Sequence, residues 1–206
     1  MINAHEALQQ LRSGNARFVT EMRAGHMLSG RERRGELADG QAPFAIVLGC
    51  SDSRVPAEIV FDQGLGDLFV IRVAGNIVAP SQVGSVEFAA ERFGTRLVVV
   101  LGHSRCGVIL ATLEQLENSS RDASRNVRSI VDRVRPSVET LFTTELRRDP
   151  EALVRHAVRA NIRASADHLR HGSQVLEQLI QSEGLLVVGA EYCLESGVVE
   201  FFDGVP

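Results

Sequence analysis

A chain of 206 residues with 44% hydrophobic and 23% charged side chains is long enough to bury a full core as one globular domain. Its net charge of −4 gives no overall electrostatic case for nucleic acid or an anionic membrane, and the arginine-rich pieces RERR (31–34) and RDASRNVRSIVDRVR (121–135) are interleaved with acids, as on a solvated helix face. No apolar run approaches the roughly 18 residues that cross a bilayer, MINAHEALQQLRSGN lacks the apolar stretch of a secretory signal, and three cysteines make no disulfide framework, so a reducing, cytoplasmic setting is expected.

Residues 3 to about 24 carry Ala7, Leu8, Leu11, Phe18, Val19 and Met22 at helical spacings, interrupted near Ser13-Gly14-Asn15, and read as one or two helices. The link GRERRGELADGQAP (30–43) is polar and glycine-bearing, hence a loop. FAIVLG (44–49) is a short β-branched run ending in glycine, a buried strand. DLFVIRVAG (67–75) makes a second strand, QVGSVEFAAERFG (82–94) a helix closed by Gly94, and RLVVVLG (96–102) a third strand. A helix begins near SRCGVILATLEQLE (104–117), and 124–147 is helical with a break or kink at Pro136. Residues 150–182 form one long helical stretch, opened by the cap and first-turn pair Asp149-Pro150. LLVVGA (185–190) and VVEFF (198–202) are strands separated by EYCLESG. Strands alternating with helices define a single α/β domain: a mostly parallel sheet of four to five strands flanked by helices. A helical arm and link occupy 1–38, and the core spans 44–202.

Two stretches go beyond what a turn after a strand requires. GCSDSR (49–54) places Cys50, Asp52 and Arg54 at alternate positions, and LGHSRCG (101–107) places His103 and Cys106 three apart. Both follow apolar strands, and in open α/β sheets ligands gather beyond the carboxyl ends of the strands. Taken singly, a buried cysteine is a small hydrophobe and a strand-end histidine a hydrogen-bonded surface group. Brought together, Cys50, Asp52, His103 and Cys106 are a donor set for Zn²⁺ rather than Mg²⁺ or Ca²⁺. Arg54 is the natural partner of a released Asp52, because its planar fork holds a carboxylate at two points, and that release opens one metal position. Spacing alone leaves open whether the two strands are neighbours and whether such a zinc is catalytic or structural.

CSDSRVPAE (50–58), DLFVIRVAGN (67–76), SVEFAAERFG (85–94), VVVLGHSRCG (98–107) and LLVVGAEYCLESGVV (185–199) resemble the β-class carbonic anhydrases, in order, from about residue 44 to 202. The resemblance implies one zinc per chain on Cys50, His103 and Cys106, with Asp52 either the fourth ligand or the partner of Arg54 in a catalytic dyad. The implied activity is reversible hydration of CO2 to bicarbonate and a proton by metal-bound hydroxide. The alternatives are hydrolysis of COS or CS2 on the same zinc, and a zinc- or bicarbonate-binding module without turnover. Within FDQGLGD (61–67), the resemblance makes Gln63 a hydrogen-bond donor to substrate across a dimer interface, and the backbone N–H of Gly107 a group facing the bound anion. It also implies a homodimer, in which the helices before Gly30 bury their apolar face on the neighbouring subunit, and leaves open whether dimers pair further into a tetramer. Departures from the family pattern are Val73, Cys193 (read as a packing or surface thiol) and Val47. One branch has at this last place the tryptophan of a non-catalytic bicarbonate pocket, and this chain has no tryptophan. His156, His168 and His171 are expected at the surface.

Overall fold

The computed structural model describes residues 2–21, 31–118 and 124–206. Successive side chains of a strand point to opposite faces, so a strand covered on both faces must be apolar throughout. β1 (Ala45–Gly49) and β3 (Leu97–His103) meet that condition, buried at every residue. With β2 (Leu68–Arg72), β4 (Leu186–Tyr192) and β5 (Val199–Asp203) they form a five-stranded sheet of order β2-β1-β3-β4-β5. The first four strands are parallel, and β5 runs antiparallel to β4.

The helices are α1 (Ala4–Val19), α2 (Arg31–Glu36), α3 (Ala57–Val60), α4 (Pro80–Arg92), α5 (Gly107–Glu117), α6 (Arg125–Val138), α7 (Pro150–His171) and α8 (Gln174–Ser182). Ile46, Leu48, Val98, Val100 and Val187 face one side of the sheet, under α4 to α8. Ala45, Val47, Val99, Leu101, Val188 and Ala190 face the other, under α1 and α3. Among the described residues, no helix is long and apolar enough to cross a membrane.

The expected interruption at Ser13-Gly14-Asn15 does not occur: α1 runs through it. Gly14 is required because the helix crosses Phe61 so closely that a β-carbon would fall 1.8 Å from the Phe61 carbonyl oxygen. Asn15 is buried, donating from Nδ2 to the carbonyls of Val60 (3.1 Å) and Gly197 (2.9 Å) and accepting at Oδ1 from the Val199 N–H (2.8 Å). Residues that read as helix breakers are contact residues. Ala4, Ala7, Leu8 and Leu11, part of the apolar face expected on a neighbouring subunit, bury instead against the chain's own sheet. The helical reading of residues 22–24 lies outside the described residues, as do 121–123.

The link at 30–43 is not all loop, because it contains α2, anchored by Arg33 to Asp67 (3.0 Å) and to the Leu65 carbonyl (3.1 Å). The stretch 150–182 is two helices rather than one. Ser173 separates them, accepting from the Leu176 N–H (3.2 Å) to cap α8 and donating to Glu87 (2.6 Å). Apolar spacing persists across such a cap and cannot reveal it. Pro136 lies in the last turn of α6, which ends two residues later at Val138.

α7 reaches the sheet through a notch. Ile162 lies over Gly102 and Gly189, where β-carbons would fall 2.5 and 2.8 Å from its side chain. Outside the notch, Arg159 joins Glu191 (2.7 Å) and Glu200 and lies over the Phe202 ring, tying α7 to β4 and β5.

Candidate metal centre

β1 and β3 are parallel neighbours with Gly49 opposite Leu101, so the residues that follow them emerge at the same edge of the sheet. Cys50 comes one residue after β1, and His103 ends β3. A tight turn through Arg105, whose φ of 54° is left-handed, then returns the chain so that Cys106 caps α5. The donor atoms of Cys50, His103 and Cys106 lie within 4.8 Å of one another, and all three residues are buried.

His103 Nδ1 stands 2.9 Å from the Ser104 carbonyl. A carbonyl only accepts, so Nδ1 carries the proton and Nε2 presents its lone pair. That nitrogen is buried with no hydrogen-bond partner, which leaves its lone pair free to bind a metal. Cys50 is pushed well below the ordinary thiol range, first by the hydrogen bond from Cys106, against burial, and further by the Gly75 N–H. Cys106 is pushed up by the same shared hydrogen bond and by burial. The shared hydrogen bond thus couples the two sulfurs, favouring ionisation of Cys50 and opposing it at Cys106. Two sulfurs and one imidazole nitrogen are donors suited to zinc.

Asp52 and Arg54 form the two-pronged pair expected of them: Nε to Oδ1 at 2.9 Å and an Arg54 terminal nitrogen to Oδ2 at 2.7 Å, with the Arg54 backbone N–H also on Oδ1 at 3.0 Å. Arg54 holds the Asp52 carboxyl well below the usual carboxylate range. Oδ2 is 3.7 Å from His103 Nε2.

Sequence reasoning missed Arg72. It lies opposite Gly49 on β2 and donates to the carbonyls of Cys50 (3.1 Å) and Asp52 (2.7 Å), holding the loop that carries both. A charged residue closing an otherwise apolar strand was its one signal. Gly107 opens α5 with nothing within 4 Å of where its β-carbon would be. Gln63 is buried, and its side-chain hydrogen bonds go to the Phe61 carbonyl (2.7 Å) and Gln10 (3.3 Å) rather than to residues of the centre. Val47 is fully buried on the α1 side. Cys193 is partly exposed after β4, and His156, His168 and His171 are exposed on α7.

The carbonic anhydrase family model matches residues 45–199. The chain is 40% identical over 198 residues to a carbonic anhydrase of Mycolicibacterium smegmatis, covering 96% of this chain and 93% of that one. It is 38% identical over 195 residues to carbonic anhydrase 2 of Mycobacterium tuberculosis, covering 95% and 91%. Among solved structures it matches the β-carbonic anhydrase CcaA with a TM-score of 0.76 at 26% identity, over 98% and 93% of the two chains. It matches one of two tetrameric β-carbonic anhydrases of Sordaria macrospora with a TM-score of 0.75 at 24% identity, over 96% and 95%. The chain belongs to the β-carbonic anhydrase family, whose members are lyases.

Proposed function

We propose that the protein catalyses the reversible hydration of CO2 to bicarbonate and a proton, using one zinc ion per chain held by Cys50, His103 and Cys106. The observation that carries this reading is a buried three-donor pocket beside a carboxylate drawn onto its own arginine. A purely structural zinc has no need of such a pair. Bound in that pocket, zinc supplies the Lewis acidity that lowers the pKa of water from about 15.7 to about 7 in well-studied sites.

The chain's own residues do the rest. His103 is fixed in the tautomer that offers Nε2, through its bond to Ser104. Asp52 stays ionised under the influence of Arg54, and its oxygens retain lone pairs that accept the O–H of the reacting water and orient that oxygen toward CO2. Arg54 fixes the rotation of the carboxylate, and Arg72 fixes the loop beneath it. Gly107 offers a backbone N–H to an anionic oxygen at the start of α5. Gln63 spends one Nε2 hydrogen on Phe61 and has the other for substrate in a neighbouring subunit.

A homodimer, alone or paired into a tetramer, and a cytoplasmic setting belong to the same reading. Phe88 is 53% exposed and clusters with Phe69 and Phe93 beside edge strand β2, an apolar surface suited to a second copy. Stopped-flow CO2 hydration and zinc content, measured on one sample, test the function. A zinc-loaded protein without hydration activity is a binding module, and turnover of COS or CS2 in place of CO2 selects the hydrolase.

A further inference from the structure

A backbone N–H aimed at a sulfur is only as well placed as the turn that carries it. The 3-10 turn Ala74–Asn76 holds two successive left-handed residues, Gly75 at φ 73° and Asn76 at φ 42°. Asparagine enters the left-handed region more readily than most residues with a side chain, at a cost glycine does not bear. Gly75 has no room for a side chain either, since a β-carbon would fall 2.8 Å from Val108. Such a turn needs support from outside itself.

That support comes from α7. Asn161 and Ser165 lie one helical turn apart and are 2% and 6% exposed. Asn161 Nδ2 donates to the Gly75 carbonyl at 2.9 Å, and Ser165 Oγ donates to the Asn76 carbonyl at 3.0 Å. From the same turn, the Gly75 N–H donates to Cys50 Sγ at 3.4 Å. The neighbours of the two polar residues on α7 are Ala157, Val158, Ile162, Ala166 and Leu169, all in the core. A buried amide and hydroxyl in that company cost free energy unless bonded, and apolar side chains would fill the space without that cost. What the polar pair adds is a grip on two consecutive carbonyls.

We propose that Asn161 and Ser165 are positioning residues for the metal centre, holding the Gly75–Asn76 turn so that its N–H stays on the Cys50 sulfur. The inference rests on Cys50 being a metal ligand. A hydrogen bond to a thiolate withdraws charge from it, so the grip of α7 sets how much charge Cys50 gives the metal and how firmly the sulfur is held.

The test uses the cobalt-substituted protein. Asn161→Asp keeps the shape but replaces the donor with an acceptor, Ser165→Ala removes the hydroxyl, and Ser165→Thr keeps it. The sulfur-to-cobalt charge-transfer band moves to lower energy in the first two variants and returns to its wild-type position in the third. Zinc affinity falls by roughly 10- to 100-fold in the first two. A merely structural role lowers thermal stability and leaves the band in place, which overturns the inference. Because a variant can fail to fold, the wild-type protein loaded with cadmium-113 supplies a second measurement. Scalar coupling between the Gly75 amide proton and cadmium, carried through the N–H···S bond, is expected, and its absence overturns the inference. A wild-type chain that takes up no metal overturns the reading of the centre itself, so the two failures are distinguishable.

Discussion

Gly14 of α1 lies against the carbonyl of Phe61, with a β-carbon position 1.8 Å from the oxygen. Both partners are backbone, so neither gives way without moving its element. Gly14→Ala therefore lifts α1 from α3 and disturbs Asn15, one residue on. The expected destabilisation is about 1–3 kcal/mol, read as a lower urea midpoint at unchanged slope. An alanine variant as stable as the wild type would mean that the arm is not seated on this chain.

Asn15 gives an independent check on the same arm. Asn15→Leu strands the Val199 N–H and the carbonyls of Val60 and Gly197 in a buried site. A loss of at least about 2 kcal/mol is expected, with faster hydrogen exchange at the Val199 amide. Unchanged exchange there would contradict the bond.

Cys50→Ser, His103→Ala and Cys106→Ser should each lose or severely weaken the one zinc per chain. Because burial and the bond to Cys50 favour a protonated Cys106, and a metal takes thiolates, zinc uptake near neutral pH should also release protons to solvent, measurable with an indicator dye in weak buffer. Full occupancy in all three variants would overturn the assignment.

The Asp52–Arg54 pair has a pH signature. Arg54 lowers the folded-state pKa of Asp52, so ionisation favours the folded form. That contribution is complete above the unfolded value of about 3.9 and is lost as pH falls through the lower folded value. Carbon-13 NMR of the Asp52 carboxyl should show a midpoint below the ordinary range in the wild type. It should rise in Arg54→Ala and rise less in Arg54→Lys, whose ammonium cannot reproduce the fork. Arg54→Ala should keep zinc and lose hydration activity. An unmoved midpoint in Arg54→Ala, with activity intact, would remove Arg54 from its role.

The sheet was legible because β1, β3 and β4 are short apolar runs that need no context to be read as buried strands. The candidate site was legible because a turn at a strand end has no need of Cys50 and Arg54, or of His103 and Cys106 three apart. What escaped was set by contacts distant in sequence. Gly14 and Asn15 look like punctuation until Phe61 and Val199 are beside them. Ser173 looks like helix interior until its hydroxyl caps α8. Asn161 and Ser165 reach carbonyls 86 and 89 positions away, and nothing local marks a buried asparagine as a support for a cysteine.

Ile162, Gly102 and Gly189 divide one fixed volume among three positions on a helix and two strands. A methyl group gained on either strand must be surrendered by the helix, so Gly102→Ala calls for a shorter residue at 162. His103 follows Gly102 directly, and Asn161 precedes Ile162. An unmatched change therefore displaces an imidazole and the helix that steadies Gly75 relative to each other. Drift at these positions is constrained to be concerted, because a descendant that enlarges one of them must shrink another or relocate His103.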